Sequence, residues 1–169
     1  MEAVELLKSE NVDNVIQLNL IDYLYRNSYS MSLTEFNLIL TKLTEFGGFK
    51  NQNEVIFNFR IFNKYLADAK YYNRDNYNTS AEKKEIAILL DILTTELFKF
   101  STSAFIKEDV AMNSLIDNLT VFYKNFESNF EIPEKLIIAN CVLKLFKIFD
   151  QEKYADTIKQ AQVTVKSIS

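Results

Sequence analysis

Eight carboxylates fall between residues 85 and 132: Glu85, Asp91, Glu96, Glu108, Asp109, Asp117, Glu127 and Glu131, set against Lys99, Lys107 and Lys124. Oxygen ligands of this kind suit a divalent cation, provided that several converge on one point. No Asp-rich loop of EF-hand spacing is present, and Glu108-Asp109 stand where acids favour the start of a helix. This acidity therefore reads as a solvated helical surface rather than a metal centre.

A second grouping is cationic and aromatic. Arg60, Lys64, Lys70, Arg74, Lys83 and Lys84 surround Tyr71, Tyr72 and Tyr77. Cations interleaved with rings can grip a phosphate strand while bases stack on the aromatics. Residues 51–84 also carry Glu54, Asp68, Asp75 and Glu82, so the six cations exceed the acids by only two. A Tyr-anchored loop that touches a partner protein fits the same residues, because tyrosine is enriched at interfaces. A third grouping, Lys50, Asn51, Gln52, Asn53, Asn58 and Arg60, follows a helix and Gly47-Gly48. In a winged helix-turn-helix protein such residues would read bases and phosphates. Here they share their helix with Val55, Ile56, Phe57, Phe59, Ile61 and Phe62, which leaves a narrow polar face. A plain helix hairpin is the reading these residues favour.

Other chemistries are removed by what is missing. The chain has no histidine, so Ser-His-Asp and Cys-His pairs and His-ligated metals are excluded. The one cysteine, Cys141, cannot form an internal disulfide or a structural zinc site alone, and it lies in the most apolar stretch, where burial makes a thiol inert. Neither Gly-x-x-x-x-Gly-Lys nor Gly-x-Gly-x-x-Gly occurs. We expect no enzyme, no cofactor and no metal. An enzyme would instead show a deep pocket where two carboxylates, or a carboxylate and a tyrosine, face each other.

The elements that would position these groups read as helices. With 2 Gly and 1 Pro in 169 residues, tight turns are too few for a many-stranded β sandwich. A short apolar stretch covers Ala3 to Lys8, and Asp13 is a candidate N-cap for a helix carrying Ile16, Leu20 and Leu24. Ser32-Leu33-Thr34-Glu35 is a capping box, with Met31 and Phe36 as its hydrophobic staple. Leu33, Phe36, Leu40 and Leu43 follow at helical spacing, and Gly47-Gly48 ends that helix. Asn51 and Glu54 cap the next, which is apolar on two sides. Tyr71 to Asn78 reads as a loop, Thr79 and Ser80 as caps for Ile86, Leu89, Leu93 and Leu97. A further helix runs from about Lys107 to Phe126. Pro133 fits the first position of another, which is apolar nearly all round to Phe149 and suits the centre of a bundle. In the tail, Val163-Thr164-Val165 alternates like a strand although the residues before it keep helical spacing.

The expectation is one all-α domain over residues 1–169, a compact multi-helix bundle of about seven helices with a mostly apolar central helix near 133–149. Nine Tyr and fourteen Phe are many for one small bundle. Some of Phe57, Phe59, Phe98, Phe100, Phe105, Phe130 and Phe149 would then lie outside and mark contact with another chain. The opposing arrangement is a monomer that encloses them all. The functional expectation is a non-catalytic interaction or assembly protein that binds a protein partner or itself through Phe57, Phe59, Tyr71, Tyr72 and Tyr77. The alternative is a helical DNA-binding regulator. A net charge of −4 gives no support for a nucleic-acid partner, no apolar run is long enough to span a membrane, and no small-molecule substrate is evident. Acids at the amino end disfavour a secretory signal, which points to the cytoplasm or to a virion or particle. The Lys-, Asn- and Ile-rich composition follows A/T-rich codons, as in phages, viruses and low-GC bacteria.

Overall fold

The computed structural model describes residues 12–28, 30–71, 80–100, 104–126 and 130–168. Among them are eight helices and no strand: α1 (Val12–Arg26), α2 (Leu33–Glu45), α3 (Gln52–Tyr71), α4 (Ser80–Leu97), α5 (Ala104–Glu108), α6 (Val110–Phe126), α7 (Ile132–Phe146) and α8 (Ala155–Ile168). The Ala3–Lys8 stretch, the Thr79 cap and residues 72–78 lie outside the described residues.

Local signals set the helix ends. The Glu35 amide donates to Ser32 Oγ at 3.1 Å, so Ser32 caps α2, while the Glu35 carboxylate accepts from the Tyr23 hydroxyl on α1. Met31 and Phe36, the staple residues, are both buried. At the other end Gly47 and Gly48 take φ values of 101° and 76°, a left-handed conformation that only glycine adopts without steric cost. The Gly48 amide returns to the Leu43 carbonyl at 2.9 Å. Asn51 Oδ1 accepts from the Glu54 amide at 3.0 Å, and the Glu54 carboxylate accepts from the Lys50 amide at 2.9 Å, which closes the start of α3. Asp109 caps α6 by accepting from the Met112 amide at 2.9 Å.

Three local readings are corrected. α1 starts at Val12, which makes Asp13 its second residue and not its cap. Glu131 is the cap of α7, so Pro133 sits at the second helical position, where a missing N–H is equally harmless. Val163-Thr164-Val165 continue α8 as helix, with the buried Thr164 donating to the Gln160 carbonyl at 3.0 Å and facing α6.

Packing joins five helices into a closed ring, in which α4 meets α3, α3 meets α6, α6 meets α8, α8 meets α7, and α7 returns to α4. Its interior holds Phe59, Phe62, Leu89, Leu93, Leu115, Phe122, Tyr123, Val142, Leu145 and Phe146. Fully burying each such side chain contributes roughly 1.5–3 kcal/mol. α7, the apolar helix expected at the centre, is buried along Ile138, Ala139, Cys141, Val142, Leu145 and Phe146 between α4 and α8. The two-sided α3 is explained by its two neighbours, α4 and α6.

α1 and α2 form an arm that rests on this ring through α2 against α4. The arm buries less. Among the described side chains of α1, Gln17, Ile21 and Leu24 are buried, as is Ser28 just beyond its end, whereas Leu18 is 50% exposed. Gln17 is inside because its side-chain amide donates to the Gly48 carbonyl. α2 and α3 do not pack as a hairpin: α2 lies mainly on α4 and α1, and α3 on α6 and α4. The joint between them is held from the ring side instead. Glu96 of α4, only 1% exposed, accepts from the Phe49 amide at 2.8 Å and pairs with Lys99. Thr34 Oγ1 bonds Glu85 at 3.2 Å, and the Tyr65 hydroxyl donates to the Met31 carbonyl at 2.6 Å.

Candidate functional site

A cavity of about 530 Å³ opens between α3 and α6, beside the end of α1. Phe57, Ile61 and Ala67 give it an apolar floor, and Arg60 and Lys64 stand on its α3 side, one helical turn apart. Asn63, Ser114, Asn118 and Ser28 complete the lining. The polar groups are organised. Asn118 Nδ2 donates to Asn63 Oδ1 at 2.9 Å, and Asn63 Nδ2 donates to Ser114 Oγ at 3.1 Å, which ties α6 to α3. Arg60 reaches Asp109 at 3.4 Å, so the α6 cap also anchors this cation. Lys64 Nζ donates to the Ser28 carbonyl at 3.4 Å and lies 5.4 Å from the Tyr65 ring centre. Among the described residues that line it, none is acidic.

Phe57 marks where this groove meets the arm. Its ring lies 4.3 Å, centre to centre, from that of Tyr25 on α1, and Tyr25 remains 43% exposed. Partial burial, with the nearby Glu54 charge, holds the Tyr25 hydroxyl above the ordinary tyrosine range. The pair leaves apolar ring surface at the mouth of the groove.

The residues expected to carry partner binding divide. Phe57 is half-buried at the groove. Phe59 is 0% exposed and belongs to the ring interior, so it is no contact residue as the chain stands folded. Two positions on from Phe57, it turns about 200° around the helix and does not line the groove. Tyr71 is the last residue of α3, with its side chain outside the described residues, as Tyr72 and Tyr77 are altogether. Among the other phenylalanines, Phe130 and Phe149 are buried, Phe100 is half-buried and Phe98 is 42% exposed. Phe105 lies outside the described side chains, and most of the described phenylalanines are enclosed.

Of the residues that a recognition helix would present, Lys50, Asn53 and Arg60 are exposed and Asn58 is buried. Asn58 is 1% exposed with its amide donating to the Glu54 carbonyl at 2.8 Å, Asn51 is the helix cap, and Arg60 faces Asp109. The acids of 85–132 are likewise dispersed, with Glu96 buried at the joint, Asp109 at a cap and Asp117 elsewhere on α6. The solvated-face reading fails for Glu96. Among the described residues no three of His, Cys, Asp and Glu gather where a metal ion could be held. Two tyrosine–carboxylate pairs do form. Tyr154 donates to Asp117 Oδ1 at 2.6 Å with Lys153 at 3.3 Å from the same oxygen, and Tyr23 donates to Glu35. Neither pair lines the groove. Cys141 is buried beside Thr94, and burial pushes its thiol up to about 12. No described helix is long and apolar enough to cross a membrane.

Sequence reasoning singled out Phe57, Arg60 and Lys64 but missed Ser28, Asn63, Ser114 and Asn118. Asn63 lies 51 residues from Ser114 and 55 from Asn118, and no short-range pattern connects them. No protein-family model, curated protein or solved structure matches the chain.

Proposed function

We propose that this chain acts without catalysis, as a helical interaction or assembly protein that engages a protein partner or a second copy of itself. The contact face is the one where Tyr25, Phe57 and the α3–α6 groove come together. The observation that carries this reading is the Tyr25–Phe57 ring pair, 4.3 Å apart and partly open to solvent, at the edge of a 530 Å³ cavity. Aromatic anchors beside a concave, partly apolar surface are what protein interfaces concentrate. Leu18, two turns before Tyr25 on α1 and 50% exposed, extends the apolar surface along the arm. The composition suits a phage, viral or low-GC bacterial component, in the cytoplasm or built into a particle.

Phe57→Asp tests the reading. It places a charge among the rings without entering the ring interior, so the far-UV helical signal stays unchanged. Molar mass by light scattering at micromolar concentration, and co-purification from the native cell, are expected to shift toward the monomer. An unchanged mass and unchanged co-purification in the folded variant would overturn the choice of face.

A further inference from the structure

Resting on that reading, we infer that the interaction face is formed only while α1 is docked, and that the Gly48–Phe49 peptide unit is the latch that docks it. Gln17 of α1 donates to the carbonyl of this unit, and Glu96 of α4 accepts from its N–H at 2.8 Å. In a trans peptide those two groups point to opposite sides of one rigid plane, so α1 and α4 grip the same plane from two directions. Both gripping side chains are inside the protein, with Gln17 7% and Glu96 1% exposed. Gly48 makes this possible. A Cβ at that position would overlap the Glu96 carboxylate, and its φ of 76° is one that other residues rarely adopt.

α1 is the element that such a latch can control. It packs mainly on α2, whereas Phe36, Leu40 and Leu43 seat α2 fully in the core. A second polar tie to the ring, from Lys64 to the Ser28 carbonyl just beyond the end of α1, is 3.4 Å long and only partly buried. A hydrogen bond between buried groups holds more firmly, because losing it leaves a desolvated group with no partner. The face spans the seam that α1 makes with the ring. Tyr25 comes from α1 and Ser28 from just past it, while Phe57 and Lys64 come from α3. Moving α1 separates the Tyr25 and Phe57 rings and removes one wall of the groove. Gln17 and Glu96 are buried and neither lines the groove; Gln17 precedes Tyr25 by roughly 12 Å along the helix. An effect of either residue on assembly therefore travels through the position of α1.

The test uses the full chain with Gln17→Leu, Glu96→Leu and Glu96→Gln, read by hydrogen exchange and by the state of assembly in solution. Gln17→Leu and Glu96→Leu each remove one grip and are expected to speed exchange of the α1 amides by about tenfold or more, while α6, α7 and α8 keep their protection. Assembly, followed by molar mass and co-purification as for Phe57→Asp, is expected to be lost with them. Glu96→Gln keeps an oxygen that can accept from the Phe49 amide and is expected to disturb α1 less than Glu96→Leu. Should Glu96→Leu fail to fold, Gln17→Leu decides alone. Unchanged α1 exchange, or exchange that rises equally in α1 and α7, would overturn the latch. If α1 exchange rises and assembly persists although Phe57→Asp dissolves it, the latch does not govern the face and the interaction face stands. If Phe57→Asp leaves assembly intact, the face itself is wrong and the latch has nothing to gate.

Discussion

The ring of α3, α4, α6, α7 and α8 and the arm of α1 and α2 are built from similar apolar inventories and reach different degrees of closure. Every ring helix has two or more helical neighbours, whereas α1 rests mainly on α2. In the ring, Phe59, Phe62, Phe122 and Phe146 are wholly enclosed, while on the arm Leu18, Tyr23, Tyr25 and Leu38 stay between 41% and 67% exposed. A count of aromatic residues therefore says little about interfaces until the number of neighbours around each helix is known. Exposed apolar side chains stand on the ring as well, at Val110 (84%), Ile132 (63%) and Val163 (60%), so the arm differs in how little of its own surface is enclosed and not in holding all of the exposed apolar groups.

The contrast can be broken most severely from inside the ring. Phe59→Ala removes a fully buried side chain and is expected to cost about 3–5 kcal/mol, read by urea denaturation followed by circular dichroism. Both regions should melt earlier. Gly48→Ala acts at the joint. Its Cβ would stand 2.7 Å from the Glu96 carboxyl carbon, at a φ of +76° that alone costs on the order of 1–3 kcal/mol for other residues. Hydrogen exchange should show α1 and α2 losing protection first. Cys141 provides the control, because a buried thiol raised to about 12 resists iodoacetamide at pH 8 while the ring stays shut. Labelling of Cys141 in step with arm exchange would show that the two regions open as one unit.

A gentler probe is alkaline pH. Burial first, then the bond to Asp117, raises the Tyr154 hydroxyl, and hydrogen bonds to Tyr154 and Asp117 raise Lys153. Folded chains then hold more protons than unfolded ones above the ordinary tyrosine range, near 10.0. Stability from this cluster is complete below that pH and declines as pH rises through the raised values. Tyr154→Phe should make the alkaline decline shallower in denaturation series. The smallest effect belongs to the arm surface: Leu18→Lys is expected to change stability by no more than about 0.5 kcal/mol, checked by the same urea titration.

What the sequence disclosed followed from range. Ser32 with Glu35, Asn51 with Glu54, and Gly47-Gly48 act over a few residues, so the bounds of α2 and α3 were legible. The burial of Cys141 was legible from its apolar helix. Gln17 and Glu96 were not, since the partners that draw them inside, Gly48 and Phe49, lie 31 and 47 residues away. Phe59 was misplaced for a related reason. Periodicity shows that α3 has two apolar sides, but whether the second meets α6 or another molecule is a tertiary fact.

Gly47 and Gly48 are the chain's entire stock of glycine, and among the described residues they are alone in taking positive φ. How the first two helices are aimed relative to the rest is thus delegated to two adjacent codons. Gly48 has the less mutational latitude, since a methyl group there meets a carboxylate whereas at Gly47 its nearest neighbour is 3.6 Å away. In a library of variants, this joint is where sequence drift should be tolerated least evenly, with position 47 more permissive than position 48.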